Sequence, residues 1–307
     1  MRPDSNQLKK LRHEHKIISL FMLLQSVALV ASGGNAQPIQ SSTNRANSNT
    51  KAIDSVVYRI TYMTQSVKDT TKLDKHHRYK YDVDEMRLDI GRHINHFYSY
   101  TEARYDSALY AGAKVGAVAD KSKYPSGSIR WHVYQNYPKG QTSFLDLVSI
   151  TPYRVDEPTV QPKWEIIPDS STTILGYRCT LAKTQFKGRL WFAWYTEGIP
   201  LNYGPWKFGG LPGLILRAYD SKRQYIFEGA GMQQLNGSQP IYEVRRYKKY
   251  EKVTLKEYLK ALRETTPGES LATRGIKFGV SNDPEWNKKW EKYTKNVQPS
   301  NPIELTE

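Results

Sequence analysis

The stretch "YRCTLAKTQFKGRLWFAWY", Tyr177 to Tyr195, holds two alternating runs joined by Lys187-Gly188. A two-residue junction of this kind turns the second run back beside the first, so the pair reads as a β-hairpin. In the second run Leu190, Phe192 and Trp194 alternate with Trp191, Ala193 and Tyr195. Apolar side chains on both faces predict a central strand covered on both sides, with Phe192 and Trp194 buried by the sheet.

The same pattern extends outward. In "VVYRITYM", Val56, Tyr58, Ile60 and Tyr62 fall on one face of a strand, and in "EMRLDIG" Met86, Leu88 and Ile90 alternate. Gly91-Arg92 then precedes "HINHFYSY", which predicts a tight hairpin with glycine at its first turn position. "SIRWHVYQNY" places Ile129, Trp131 and Val133 together, and Pro138 to Gln141 forms its turn into "TSFLDLVSI". Beyond the central hairpin come "LILRAYD", a turn at "DSKR", "YIFEGAG", and "PIYEVRRY" as one more strand. The 22 Tyr and 7 Trp suit such a chain, because aromatic rings fit a pleated, half-buried surface.

Two helices stand out near the C-terminus. Thr254 and Glu257 form a capping box before "LKEYLKALRE", with Leu255, Leu259 and Leu262 on one stripe. Asp283 and Pro284 open "EWNKKWEKYTK", whose Trp286, Trp290 and Tyr293 share a face. "EARYDSALYAGAK" is a third, weaker pattern. The expected fold is therefore mainly β, of the α+β class. It is one twisted antiparallel sheet or half-barrel with hairpin connections, plus helices toward the C-terminus. Short hairpin turns leave no room for parallel neighbours.

The N-terminus follows other rules. Arg2, Lys9, Lys10, Arg12 and Lys16 precede the apolar run Ile17 to Ala31, and Gly34 and Ala36 follow at small positions. Residues 1–36 read as a secretory signal peptide cleaved after Ala36. Residues 37–51 are polar and read as a disordered lead-in. A β-rich domain is expected over 52–265, and a C-terminal loop with the Trp-rich helix over 266–307. Export, to the periplasm or the outer envelope, is the implied localisation, with a soluble chain after cleavage. Cys179 is the single cysteine in 307 residues, so an internal disulfide is excluded and stability must come from the core.

After the central hairpin comes "GPWKFGGLPGLI", Gly204 to Ile215. Gly204, Gly209, Gly210 and Gly213 mix with Pro205 and Pro212, and with Trp206, Phe208, Leu211 and Leu214. Glycine supplies positive φ or close backbone approach, proline stiffens the chain, and the aromatics pin the loop. Gly210 or Gly213 is the expected site of positive φ. Two jobs fit such a loop. It is a packed end of the sheet, or a rigid apolar lip at the mouth of a concave sheet.

These residues carry a resemblance. "GYRC" at 176–179, "FKGRLWFAWYTEGIP" at 186–200 and "GPWKFGGLPGLILRAYD" at 204–220 resemble the central block of the GLPGLI family of bacterial envelope proteins. "YRITY" at 58–62 and "LDIG" with "HFYSY" over 88–100 are similar to its first strands. The resemblance implies an exported protein of Gram-negative bacteria and supplies no activity and no catalytic residue.

Chemistry has to be sought directly. The loop lacks the glycine and lysine spacing of a phosphate loop, and the chain has no G-x-S-x-G, S-x-x-K or H-E-x-x-H. His93 and His96 point to opposite faces of a strand and cannot chelate as neighbours, and His76-His77 is the other local pair. No metal or cofactor is expected. Cys179 reads as a buried small hydrophobe rather than a nucleophile. With 45 Lys+Arg against 30 Asp+Glu the chain carries +15, and "RRYKKYEK", Arg245 to Lys252, interleaves tyrosine with base. A solvated face, or one facing anionic outer-envelope lipid or polysaccharide, is expected there, not a nucleic-acid site.

Three functions remain in view. The first is a noncatalytic envelope protein that binds an apolar or amphipathic ligand, peptide or lipid-like, or another envelope protein. Its contact residues would be Trp206, Phe208, Leu211 and Trp194. The second is an enzyme whose site converges near the loop, drawing on Glu197, Asp220 and Arg189. The third is a structural partner of an outer-membrane complex.

Overall fold

The computed structural model describes residues 52–114, 120, 122–244, 250–273, 275 and 282–306. The expected signal peptide, the lead-in and residues 245–249 of the basic stretch lie outside them. Among the described residues the protein is mostly β, one open mixed sheet of twelve strands with four helices.

The sheet is two meanders set side by side. The first runs β1 (Ala52–Ser66), β2 (Asp82–Gly91), β3 (Asn95–Ser99), β4 (His132–Gln135), β5 (Gln141–Val148) and β6 (Thr151–Pro158). The second runs β7 (Glu165–Ile174), β8 (Tyr177–Phe186), β9 (Arg189–Thr196), β10 (Leu214–Asp220) and β11 (Tyr225–Tyr242). They join where β11 pairs antiparallel with β1, and β12 (Glu251–Lys252) closes the far edge beside β6. That last pair is parallel, which makes the sheet mixed and corrects the all-antiparallel expectation. The hairpin argument does not bind β12, which reaches β6 by a long return rather than a tight turn.

The central hairpin is as read: β8 and β9 meet through Lys187 and Gly188, both at positive φ. Several finer readings are corrected. β4 is only four residues long, so Ile129 and Trp131 are buried from irregular backbone before it. Gly91 ends β2 without positive φ, and the turn Arg92–Ile94 is held by Asp54, which accepts from His93 N and Ile94 N. "PIYEVRRY" is not a separate strand, because β11 runs through Asn236 and Gly237 to Tyr242. β6 and β7 have no counterpart in the sequence pattern, because their polar, proline-bearing sequences lack clear alternation.

A bulge explains another departure. Between Val56 and Tyr58 the register of β1 shifts by one residue against β2 and by three against β11. An extra residue reverses which face the following side chains meet. Ile60 and Tyr62 therefore join the main core, whereas Val56 packs on the other face with Ile94, Tyr134, Leu145, Ile241 and Val244. Arg59 points to that second face and grips Asp89 through two bonds of 2.6 and 2.8 Å.

The helices are α1 (Tyr100–Lys114), α2 (Leu255–Glu264), α3 (Pro267–Thr273) and α4 (Pro284–Lys295). The capping box of α2 and the Asp283 cap of α4 are both formed. α2 buries Leu255, Tyr258 and Leu259 against the main core. α3 adds a short helix to the two read from the C-terminal sequence, opened by reciprocal bonds between Thr266 and Glu269. No helix among the described residues is long and apolar enough to cross a membrane.

Candidate functional site

The glycine-rich loop is the connection from β9 to β10, residues 197–213. It folds back on the sheet instead of standing away from it. Trp206 and Phe208 have no exposed surface, and Leu211 has 2%. Trp206 meets Trp191 at 5.5 Å and Phe208 at 5.0 Å between ring centroids, and Phe186 and Trp164 extend the cluster. Backbone bonds lock the loop: Gly204 N donates to Phe208 O, Phe208 N to Pro205 O, and Gly210 N to Asn202 O. The Trp164 indole donates to Gly209 O at 2.8 Å.

Two glycines are there for separate reasons. Gly210 has φ of 85°, as expected of one of the pair. Gly213 does not; a Cβ there would lie 2.0 Å from Thr196 O, so it is required by close backbone approach. Trp206 itself sits at φ of 56°, and its buried indole N–H has no hydrogen-bond partner among the described residues. Ring packing on several sides has to outweigh that cost of about 1–3 kcal/mol.

Three of the four expected contact residues, Trp206, Phe208 and Leu211, are therefore inside the protein, not on a lip. Trp194 is not with them. Trp191, three residues earlier, faces the core, so Trp194 falls on the opposite face and is half-buried, as is Phe192. The buried face of β9 is Arg189, Trp191, Ala193 and Tyr195. Both faces are apolar, but only one is sealed.

What the loop does present is Lys207, the residue between its two aromatic anchors. Lys207 is 6% exposed. Its Nζ lies 2.8 Å from Glu157 Oε2 and 2.5 Å from Glu304 Oε1. Lys187, from the β8–β9 turn, bonds Glu157 at 2.8 Å and lies 3.6 Å from Glu304. Two lysines and two glutamates thus form a ring of balanced charge, buried at Lys207 and Glu304 and half-buried at Lys187 and Glu157. At Glu304 the contact is charge to charge, without aligned hydrogen bonds. Burial alone would raise the Glu157 carboxyl, but Lys207 and Lys187 outweigh it and hold it below its ordinary value. Nothing in the sequence pairs Lys207 with Glu304 across 97 positions; the one signal was a lysine set between two buried aromatics.

The proposed catalytic trio separates. Arg189 and Asp220 meet at 3.1 Å, both buried, while Glu197 is exposed beyond the other end of β9. Arg189 uses all five of its N–H donors. It bonds Asp220 and Gln224, and in the C-terminal segment Asn301 Oδ1, Pro302 O and Ile303 O. Asp220 is likewise occupied, by Arg189 and by Tyr225 N at 2.8 Å. The pair is a clamp on the chain's own C-terminal segment. The Tyr225 hydroxyl donates to Asn301 O, and Leu305 N donates to Lys187 O. Ile303 is buried in the main core.

That segment walls a cavity of about 510 Å³. Ile129, Trp131, Phe144 and Leu147 supply its apolar side, and Lys68, Asp82, Arg130 and Asp146 add charge. Asp146 is recessed there and accepts from the Tyr258 hydroxyl at 2.5 Å. Burial pushes its carboxyl up to about 6, against the pull of the Tyr258 bond and of Arg130. Burial also raises the Tyr258 hydroxyl, helped by the Asp146 charge. Among the described residues no cluster of His, Cys, Asp or Glu suits a metal ion. His96 pairs with His132 at 3.1 Å instead of His93, and stacks between Tyr98 and Tyr134.

Residues 182–217 match a family model described as "Protein of unknown function (Porph_ging)". The matched segment runs from β8 through the glycine-rich loop into β10 and contains "GLPGLI". Among curated proteins none matches the chain. Two crystal structures of PNGF-II, in space groups P21 and C2, are similar over 66% of this chain at 13% identity, with TM-scores of 0.43 and 0.41. The chain spans 32% of the length of those structures.

Proposed function

We propose that the protein is a noncatalytic binding module for a short amphipathic peptide, held in the cavity between β5, α2 and the C-terminal segment. The observation that carries this reading is the recessed Asp146 carboxylate beside the aromatic walls of Trp131, Phe144 and Tyr258. A cavity of about 510 Å³ is in the range that takes one small ligand. Its walls hold charges of both signs and apolar rings, which suits a molecule with an amine, polar backbone groups and an apolar side chain. Asp146 would take the amine and the rings the side chain. The glycine-rich loop acts one step back: its anchors fix Lys207, which fixes Glu304 and with it the C-terminal wall.

Calorimetry with the peptide Leu-Phe-Leu and its N-acetylated form tests this. The free amine should bind saturably, and acetylation or Asp146→Asn should each weaken binding by about tenfold, the equivalent of about 1.4 kcal/mol. Absence of saturable heat from the free peptide, or equal binding of the acetylated one, would refute the reading. Thermal melts of Asp146→Asn show whether the fold persists.

A further inference from the structure

α4 is unlike the other helices: none of its twelve residues is buried. Its fold is well specified, since Asp283 Oδ1 accepts from Glu285 N at 2.9 Å and Trp286 N at 3.2 Å. It leans on α3 by one side, where Thr294 O would meet a Cβ added to Gly268 at 2.8 Å. The side turned outward carries Trp286, 40% exposed, and Tyr293, 43% exposed, with Val297, 37% exposed, continuing the line. The rings make one continuous surface: Trp286 and Trp290 stack at 5.5 Å and 9°, and Tyr293 follows at 5.7 Å.

Charge accompanies this stripe. α4 holds Lys288, Lys289, Lys292 and Lys295 against Glu285 and Glu291, and all six are exposed. At 100° per residue, Lys289 and Lys292 lie about 60° and 120° round the helix from Trp286, on the side away from α3. Exposed indole and phenol rings beside lysines match the headgroup layer of a membrane, where such rings place an apolar body and a polar tip. A surface helix with that division of faces lies in the plane of the interface.

We propose that α4 is an interfacial anchor that lays the protein on an anionic lipid surface. Trp286, Tyr293 and Val297 enter the headgroup layer, and Lys289 and Lys292 meet lipid phosphates. The charge complementarity is supported by the chain as a whole, which carries +15, and +12 without residues 1–36. Tyr293 also lines the cavity, so docking through α4 would bring the cavity wall to the lipid surface. The proposal does not depend on what the cavity binds.

Co-sedimentation of the full chain tests it. Vesicles of phosphatidylethanolamine with phosphatidylglycerol should carry the protein down, pure phosphatidylcholine vesicles should not, and raised salt should release it. Trp286→Ser/Tyr293→Ser and Lys289→Glu/Lys292→Glu should each weaken partitioning by about tenfold or more. Both should melt like the parent, because all four substituted side chains are exposed. Brominated lipid should quench tryptophan emission in the parent, a readout that needs no variant. Equal binding to neutral vesicles, or unchanged binding after the lysine reversals, would overturn the proposal. So would absent quenching, or binding to dextran sulfate without binding to vesicles.

Discussion

Lys207→Met should be among the most damaging single changes outside the aromatic cluster. Its amine is 6% exposed and faces Glu157 at 2.8 Å and Glu304 at 2.5 Å, and Glu304 is only 2% exposed. Removing one partner of a buried ion pair leaves the other charge without compensation and costs about 3–5 kcal/mol. Lys187 stays 3.6 Å from Glu304 and offsets part of this, so the low end, about 3 kcal/mol, is expected. For a folded unit of this size that lowers the melting temperature by about 6–12 °C. Adding Glu304→Leu removes the stranded charge and should recover much of the loss, leaving a coupling energy of about 1.5 kcal/mol or more. Acid provides a second check. Glu157 has its carboxyl held below its ordinary 4.5, so its contribution is present above that pH. It is lost as pH falls through the lowered value. Lys207 is the foremost of the neighbours that lower it, so the Lys207→Met chain should lose less on acidification than its parent. Urea melts of the parent, both singles and the double across pH decide the matter. A single-variant loss under about 1 kcal/mol, or a double variant equal to the sum of the singles, would refute the buried-ring account.

Gly213→Ala should destabilise by about 3 kcal/mol or more, because its Cβ would lie 2.0 Å from Thr196 O and backbone has to move. Gly210→Ala should cost less, about 1–2 kcal/mol, for placing a Cβ at positive φ; urea melts that rank the two in the opposite order would contradict these roles. Asp146 has its carboxyl raised from 3.8 to about 6, so the folded chain holds that proton more tightly and loses stability as pH climbs between those values. Asp146→Asn should flatten that part of the pH–stability curve, and an unchanged slope would show that Asp146 does not titrate in this window. Cys179 has no exposed surface, and burial raises its thiol above the ordinary value. A thiol reagent should therefore label it slowly in the native chain and rapidly in urea; fast native labelling would reopen its role as a nucleophile.

Local pattern by itself determined a good deal of this protein. The alternation of "YRCTLAKTQF" and "RLWFAWY" about Lys187-Gly188 specified β8, β9 and their turn, because side-chain period and turn chemistry are properties of neighbours in the chain. Thr254 with Glu257, and Asp283 with Pro284, specified where α2 and α4 begin for the same reason. Faces and sites were decided elsewhere. The bulge after Val56 exchanged the faces of β1, and alternation cannot register an extra residue that a partner strand accommodates. β9 is apolar on both sides, so which of Trp191 and Trp194 is sealed depended on what the glycine-rich loop covers. Lys207 is an ordinary lysine in the sequence. It became a buried charge only when the return of the C-terminal segment set Glu304 against it. Contacts between residues so far apart are made by topology, which brings together groups whose chemistry carries no mark of their partner in the chain around them.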